Sequence, residues 1–248
     1  MKTNVFQSLS IMIKSAYSAL KMSIDAIILS WRGKMTRQWI NQRLLIWAKE
    51  TIGFTQANWK VFNPHNVQPR HGQPTIIMCN HASLYDIPFS FLAFPDQTIR
   101  MLAKKELKKV PFFGKALVAA GFPTIDRHNR NQAVQDLNHT RELLSDDIVI
   151  WIAPEGTRSP DGRLATFKKG GFITAIQAQA IIIPLVIRGA NLILPARTCK
   201  FSLNQQVDII VGQPIDASEY TLEQKAELLA LVQHSMQCML DTPPITSS

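Results

Sequence analysis

Cysteine is scarce: three among 248 residues, at positions 79, 199 and 238. They are widely spaced and odd in number, so they build neither a disulfide framework nor a Cys-x-x-Cys metal pair. A reducing, cytosolic setting fits that usage. The six histidines are scattered. Neither His-x3-His nor His-Glu-x-x-His occurs, and no metal site is expected. The absence of a P-loop and of Gly-x-Gly-x-x-Gly argues against the usual nucleotide-binding folds. Nor is there an uninterrupted apolar run of about 20 residues, the length that spans a bilayer. Residues 11–31 come nearest, but Lys14, Lys21 and Asp25 interrupt them. A secretory signal peptide is a poor match, since no small-residue cleavage site follows a clean apolar core. Internal repeats and low-complexity segments are lacking too.

Acidic residues are nearly missing from the first fifth of the chain. Residues 1–49 hold eight Lys and Arg against one acid, Asp25, within a total net charge of +9. Arg100, Lys104, Lys105, Lys108 and Lys109 form a second basic cluster around Glu106. Charge this concentrated points to an anionic partner: nucleic acid, an anionic membrane or a phosphorylated substrate.

The first 50 residues read as two helices joined at Arg32-Gly33-Lys34. In the first, Ile13, Ala16, Tyr17, Leu20, Ile24, Ile27, Ile28 and Trp31 recur at helical spacing, with Lys14, Ser18, Lys21 and Asp25 opposite. Met35, Trp39, Ile40, Leu44 and Trp47 mark the apolar side of the second. Three tryptophans and flanking cations give the look of an interfacial membrane helix pair. The competing reading is a helical hairpin packed on its own domain.

From residue 59 the pattern changes. Apolar runs at 59–62, 75–79, 99–103, 122–125, 148–152, 181–187 and 207–211 alternate with helical stretches at 86–94, 112–120, 130–145, 170–179 and 221–240. That alternation predicts an α/β fold, a layered and mostly parallel sheet flanked by helices. Residues 64–74 and 159–163 read as loops, and the tail from 241 as frayed. The apolar fraction of 46% suffices for a packed core.

Four stretches carry candidate chemistry. "NHASLYD" (80–86) follows an apolar strand and places His81 five positions before Asp86. A neutral imidazole can take a proton from an attacking alcohol while a carboxylate holds its other nitrogen. Equally, Ser83 to Asp86 matches a capping box, or Asp86 is itself an N-cap. "PEGTRS" (154–159) offers Gly156 for close backbone approach, Thr157 as a hydroxyl and Arg158 as a bidentate phosphate donor, with Glu155 beside them. "GFPTIDR" (121–127) ends in Arg127, and "FKKGG" (167–171) is a basic step into a helix, suited to an anion but unspecific.

Together these stretches resemble the sequence blocks of the glycerolipid acyltransferases. "NHASLYD", "GFPTIDR", "PEGTRS" and "IIIPLVI" (181–187) stand in the family's order and at similar spacings, and "AKKELKKVPFFG" (103–114) adds to the match. The sub-group most similar is the 1-acyl-sn-glycerol-3-phosphate acyltransferases. The resemblance covers roughly residues 59–215, and His-x4-Asp with Pro-Glu-Gly-Thr-Arg is a specific combination. It implies transfer of a fatty acyl group from acyl-CoA or acyl-carrier protein to a lysolipid hydroxyl, with no cofactor. By that resemblance His81 is the general base and Asp86 its orienting carboxylate. Arg127, Glu155, Gly156, Thr157, Arg158 and Lys105 hold the phosphate of lysophosphatidic acid, Asn80 shapes the corner, and Pro184 shapes the last strand.

Residues 1–55 are then expected to be a membrane-docking helix pair and 56–248 the acyltransferase domain. Peripheral or monotopic attachment to an anionic membrane, on the cytoplasmic face, is implied. Ala153 and Pro123 depart from the family pattern, which bears on the lipid groove rather than on the reaction. The rival readings are a sibling enzyme with another lysolipid acceptor, such as a lysophospholipid or a lyso-ornithine-lipid, and a catalytically dead membrane-binding relative. A nucleic-acid-binding protein would account for the charge but not for the paired motifs.

Overall fold

In the computed structural model, residues 2–242 are described; of the tail expected to fray, 243–248 lie outside them. The chain opens with α1 (Val5–Trp31) and α2 (Arg37–Gly53). Asn4 and Gln7 close a reciprocal capping box at the start of α1, and the Thr36 side chain caps α2. Both satisfy backbone N–H groups that a helix leaves orphaned. Gly33, at φ +64°, makes the turn between them.

The α/β part follows as β1 (Asn58–Phe62), β2 (Thr75–Cys79), α3 (Asp86–Ala93), β3 (Ile99–Met101) and β4 (Ala103–Lys104). A 3-10 turn over Lys105–Lys109 leads to α4 (Phe113–Ala119), β5 (Thr124–Ile125), α5 (Arg130–Leu144) and β6 (Val149–Ile152). The chain then forms α6 (Gly170–Gln177), β7 (Ile181–Arg188), α7 (Ala190–Ile193), β8 (Gln206–Val211), β9 (Ile215–Asp216) and α8 (Lys225–Asp241). The main sheet runs β1-β8-β7-β2-β6-β3, with β9 on β7; β4 and β5 pair separately. Pairing is parallel except where β8 and β9 meet β7.

β2 is buried along its whole length. That is why its sequence is a run rather than an alternation: helices cover both faces of a parallel sheet. Ile77 and Cys79 face one core with Ile40, Leu44 and Phe89 from α2 and α3. Ile76 and Met78 face the other, with Phe172, Leu228, Val232 and Met236 from α6 and α8. Each such side chain contributes about 1.5–3 kcal/mol by burial. Thus α2 is part of the main core.

The first helix is inverted. Its apolar face points outward: Phe6 is 83% exposed, Tyr17 67% and Trp31 87%. Ser18 and Asp25 face the protein instead, while Lys14 and Lys21 stay exposed. The Ser18 hydroxyl donates to Glu50 at 2.6 Å, and Arg43 donates to Asp25 at 3.0 Å. The hairpin therefore packs on its own domain through α2 and through Ile11, Ser23 and Ala26 of α1, while the apolar stripe of α1 stays outside. Among the described residues, no helix is long and apolar enough to cross a membrane.

The basic cluster is smaller than the sequence suggests. Arg100 is only 1% exposed and is no part of a surface patch. Its Nε donates to the Ala120 carbonyl and its Nη1 to Asn41 and to the Ile99 carbonyl. Its guanidinium stacks on Phe122, 5.4 Å from the ring centroid. Burial, with the charge of Arg37 adding to it, pulls its pKa down to about 10.

Candidate active site

β2 and β6 are adjacent and parallel, so the loops that leave their C-terminal ends emerge side by side. Ligands gather at such ends in α/β sheets. The loop after β2 begins with Asn80, whose amide accepts from the Ile187 N–H at 2.8 Å and donates to its carbonyl at 3.0 Å. A side chain thereby continues the β2–β7 ladder one step and fixes the exit direction of the chain. The loop after β6 is tied to it directly, since Ser159 N–H donates to the His81 carbonyl at 2.7 Å.

His81 and Asp86 meet across this corner, with Nδ1 2.9 Å from Oδ2. The same oxygen accepts the backbone N–H groups of Ala82 and Ser83, each at 2.7 Å. Asp86 is the first residue of α3 and fully buried. Tyr85 stands at the cap without a side-chain bond, while Asp86 accepts the Ser83 N–H, the carboxylate half of the capping box read from the sequence. The Ser83 hydroxyl instead donates to the Leu194 carbonyl and accepts from Tyr85 N–H. A carboxylate acceptor places the proton on Nδ1 and leaves Nε2 with its lone pair. The ring sits edge-on to Trp151, centroids 5.9 Å apart. Among the described residues, no group of His, Cys, Asp and Glu could hold a metal ion.

Glu155, expected among the phosphate-holding residues, has its carboxylate engaged with the backbone. It is 2% exposed, and its two oxygens accept the N–H of His81 at 2.8 Å and of Ala165 at 2.9 Å. A buried, acceptor-only carboxylate repels an anion; this one braces the backbone of His81. Burial raises its pKa, with the two N–H groups pulling the other way.

The remaining members of the loop are disposed differently. Gly156 adopts φ +74°, a conformation glycine takes freely, and its carbonyl accepts from the Arg127 guanidinium. Thr157 is exposed and Arg158 half-buried; neither side chain is bonded to a described residue. Lys105, exposed at the start of the 3-10 turn after β4, lies 3.4 Å from Asp126. Lys168, which the sequence marks only as part of a basic step, runs past Gly156: a Cβ there would sit 3.4 Å from Lys168 Cγ. Pro184 is buried in β7 opposite Met78 and lies outside the loop cluster.

An apolar cavity of about 530 Å³ adjoins the corner. Leu84 and Tyr85, between His81 and Asp86 in sequence, line it, with Ile40, Trp47, Phe91 and Leu117 from three helices. Burial pushes the Tyr85 hydroxyl up to about 12.

The sequence model of the acyltransferase family matches residues 58–188. A 1-acyl-sn-glycerol-3-phosphate acyltransferase alpha of Mus musculus is 30% identical over 78% of this chain and 66% of its own length. A 1-acyl-sn-glycerol-3-phosphate acyltransferase of Cocos nucifera is 37% identical over 54% of this chain and 44% of its own. The chain thus spans just under two thirds and under half of these two relatives. The crystal structure of the 1-acyl-sn-glycerophosphate acyltransferase PlsC from Thermotoga maritima shares the fold, with a TM-score of 0.80 at 22% identity, covering 99% of this chain and 98% of that one. With its family match extending from β1 through β7 and enclosing the His81–Asp86 corner, the chain belongs to the acyltransferase family.

Proposed function

We propose that the protein is a membrane-associated O-acyltransferase that converts lysophosphatidic acid to phosphatidic acid. The observation that carries this reading is the His81–Asp86 contact of 2.9 Å, at the edge of an apolar cavity and beside Arg127 and Arg158. Nε2 of His81 takes the proton of the sn-2 hydroxyl as its oxygen attacks the thioester carbonyl carbon. The carbon–sulfur bond then breaks, and the departing thiolate receives that proton from the imidazolium. Asp86 holds the ring and offsets its transient charge. A thioester is already activated, so one base and the positioning of two substrates suffice. The acyl chain occupies the cavity, whose volume lies within the usual range of ligand sites, about 300–1,000 Å³. Arg127, Arg158 and Lys168 take the phosphate, with the Gly156 turn letting it approach the backbone.

The exposed apolar face of α1, flanked by Lys14 and Lys21, docks the enzyme on the membrane that supplies the acceptor. Attachment is peripheral or monotopic. The test is thiol release from acyl-CoA by the detergent-solubilised protein, with lysophosphatidic acid, lysophosphatidylcholine, lyso-ornithine-lipid or no acceptor. Release should require lysophosphatidic acid and vanish in His81→Ala. Near-normal turnover by that variant would remove His81 as the base. Release with a different acceptor only would replace the substrate named above. If acyl-CoA fails with every acceptor, acyl-carrier-protein thioesters are tried as donors; failure of both would end the enzymatic reading.

A further inference from the structure

The segment from β4 to the end of α4 breaks the usual rule for a surface helix, polar outside and apolar inside. Its inner side chains, Leu107, Phe113, Ala116 and Leu117, line the cavity. Its outer side is apolar as well: Val110 is 44% exposed, Phe112 53% and Val118 55%. Lys104, Lys108, Lys109 and Lys115 stand exposed around them, and Glu106 is the one acid between residues 103 and 120. Phe112 adopts φ +59°, a conformation that L side chains avoid and that large ones rarely hold. The turn is locked in that state. Gly114 N–H donates to the Val110 carbonyl at 2.8 Å, and a Cβ on Gly114 would lie 2.1 Å from the Lys108 carbonyl oxygen. An exposed aromatic ring is thus presented by a rigid, strained turn amid cations. The same segment packs on α1, whose apolar face also points outward.

We propose that residues 110–112 and the outer face of α4 form a second lipid-docking wedge, which enters an anionic bilayer leaflet beside the acyl cavity. It is separate in sequence from α1 and α2, and it rests on the membrane-docking reading given above. The apolar tip enters the interface while the lysines meet lipid phosphates, a complementarity of charge and polarity. The wall of the cavity is then in the membrane itself, so a long acyl chain passes between leaflet and cavity without crossing water.

Position 112 permits a clean test. Glycine accepts its backbone conformation without a Cβ penalty, so Phe112→Gly removes the ring and leaves the fold intact, with a thermal midpoint at or above wild type. Co-sedimentation of the full chain with phosphatidylethanolamine–phosphatidylglycerol vesicles should then fall about tenfold, the lower end of what burying a phenylalanine contributes. The pair Lys108→Glu and Lys109→Glu should weaken binding about fivefold for each lysine on anionic vesicles and leave binding to phosphatidylcholine vesicles unchanged. Binding of Phe112→Gly within about twofold of wild type would overturn the proposal. The readout is independent of catalysis: His81→Ala should bind vesicles like wild type. Phe112→Gly should transfer acyl groups normally to detergent-dispersed acceptor.

Discussion

Replacing Asp86 by asparagine isolates the charge of the dyad from its geometry. The carbonyl oxygen of the new amide can occupy the position of Oδ2, where it still accepts the N–H groups of Ala82 and Ser83 and of the His81 ring. The amide nitrogen falls where Oδ1 now lies, buried and without a partner among the described residues. One unpartnered acceptor is exchanged for one unpartnered donor, and a buried charge is removed. Stability should therefore change little, with a thermal midpoint within about 4 °C of wild type, since about 1 kcal/mol moves a domain of this size by 2–4 °C. Turnover should change greatly. When His81 takes the proton, an imidazolium forms against a neutral amide instead of a carboxylate. Two unit charges about 4 Å apart at an effective dielectric near 20 interact by about 4 kcal/mol. At about 1.36 kcal/mol per decade, that is a loss of about 10³ in kcat. The assay is steady-state thiol release with saturating acyl-CoA and lysophosphatidic acid, alongside a thermal melt. A folded Asp86→Asn enzyme keeping kcat within about tenfold of wild type would refute the electrostatic role of Asp86.

Two other substitutions separate binding from bracing. Arg158→Ala removes an unpaired guanidinium from the loop, so it should raise the KM for lysophosphatidic acid about 10- to 100-fold while changing kcat less; an unchanged KM would take Arg158 out of the phosphate site. Glu155→Gln turns an amide N–H₂ towards one of two backbone donors. It should lower stability by about 2 kcal/mol, a fall of about 4–8 °C, and reduce kcat through displacement of His81. Its pH dependence has a definite sign. Burial raises the Glu155 pKa in the folded state, so the stability linked to its protonation is fully present below the ordinary glutamate value, about 4.3. That stability is lost as pH rises through the raised value. Glutamine does not titrate, so the wild-type advantage should be larger near about pH 5 than near about pH 8. A gap constant across melts at both values would contradict that placement of the carboxylate.

The strands were legible because burial on both faces writes itself as a short, nearly unbroken apolar run, as in residues 75–79 and 181–187. β9 and α7, of two and four residues, lie below the length at which periodicity speaks, and β9 is defined by its pairing with β7. His81 and Asp86 could be placed together because they flank one corner of the chain. Glu155 could not be assigned in the same way. Its motif groups it with the phosphate-holding loop, yet its partners are backbone N–H groups 74 and 10 residues away, which no local pattern encodes.

Arg100 was misread for a related reason: its desolvation is offset by carbonyls and an amide from three separate segments, so neighbouring lysines suggested a patch that its burial forbids. The first helix gives the reverse lesson. Its 3.6-residue stripe locates an apolar face but is silent on what that face meets, and an inward and an outward stripe have the same periodicity. The deciding information lies in the opposite face, where Ser18 and Asp25 find Glu50 and Arg43. A helix whose buried polar side chains are satisfied by its own protein leaves its apolar stripe for a different solvent, and under the function proposed above that solvent is lipid.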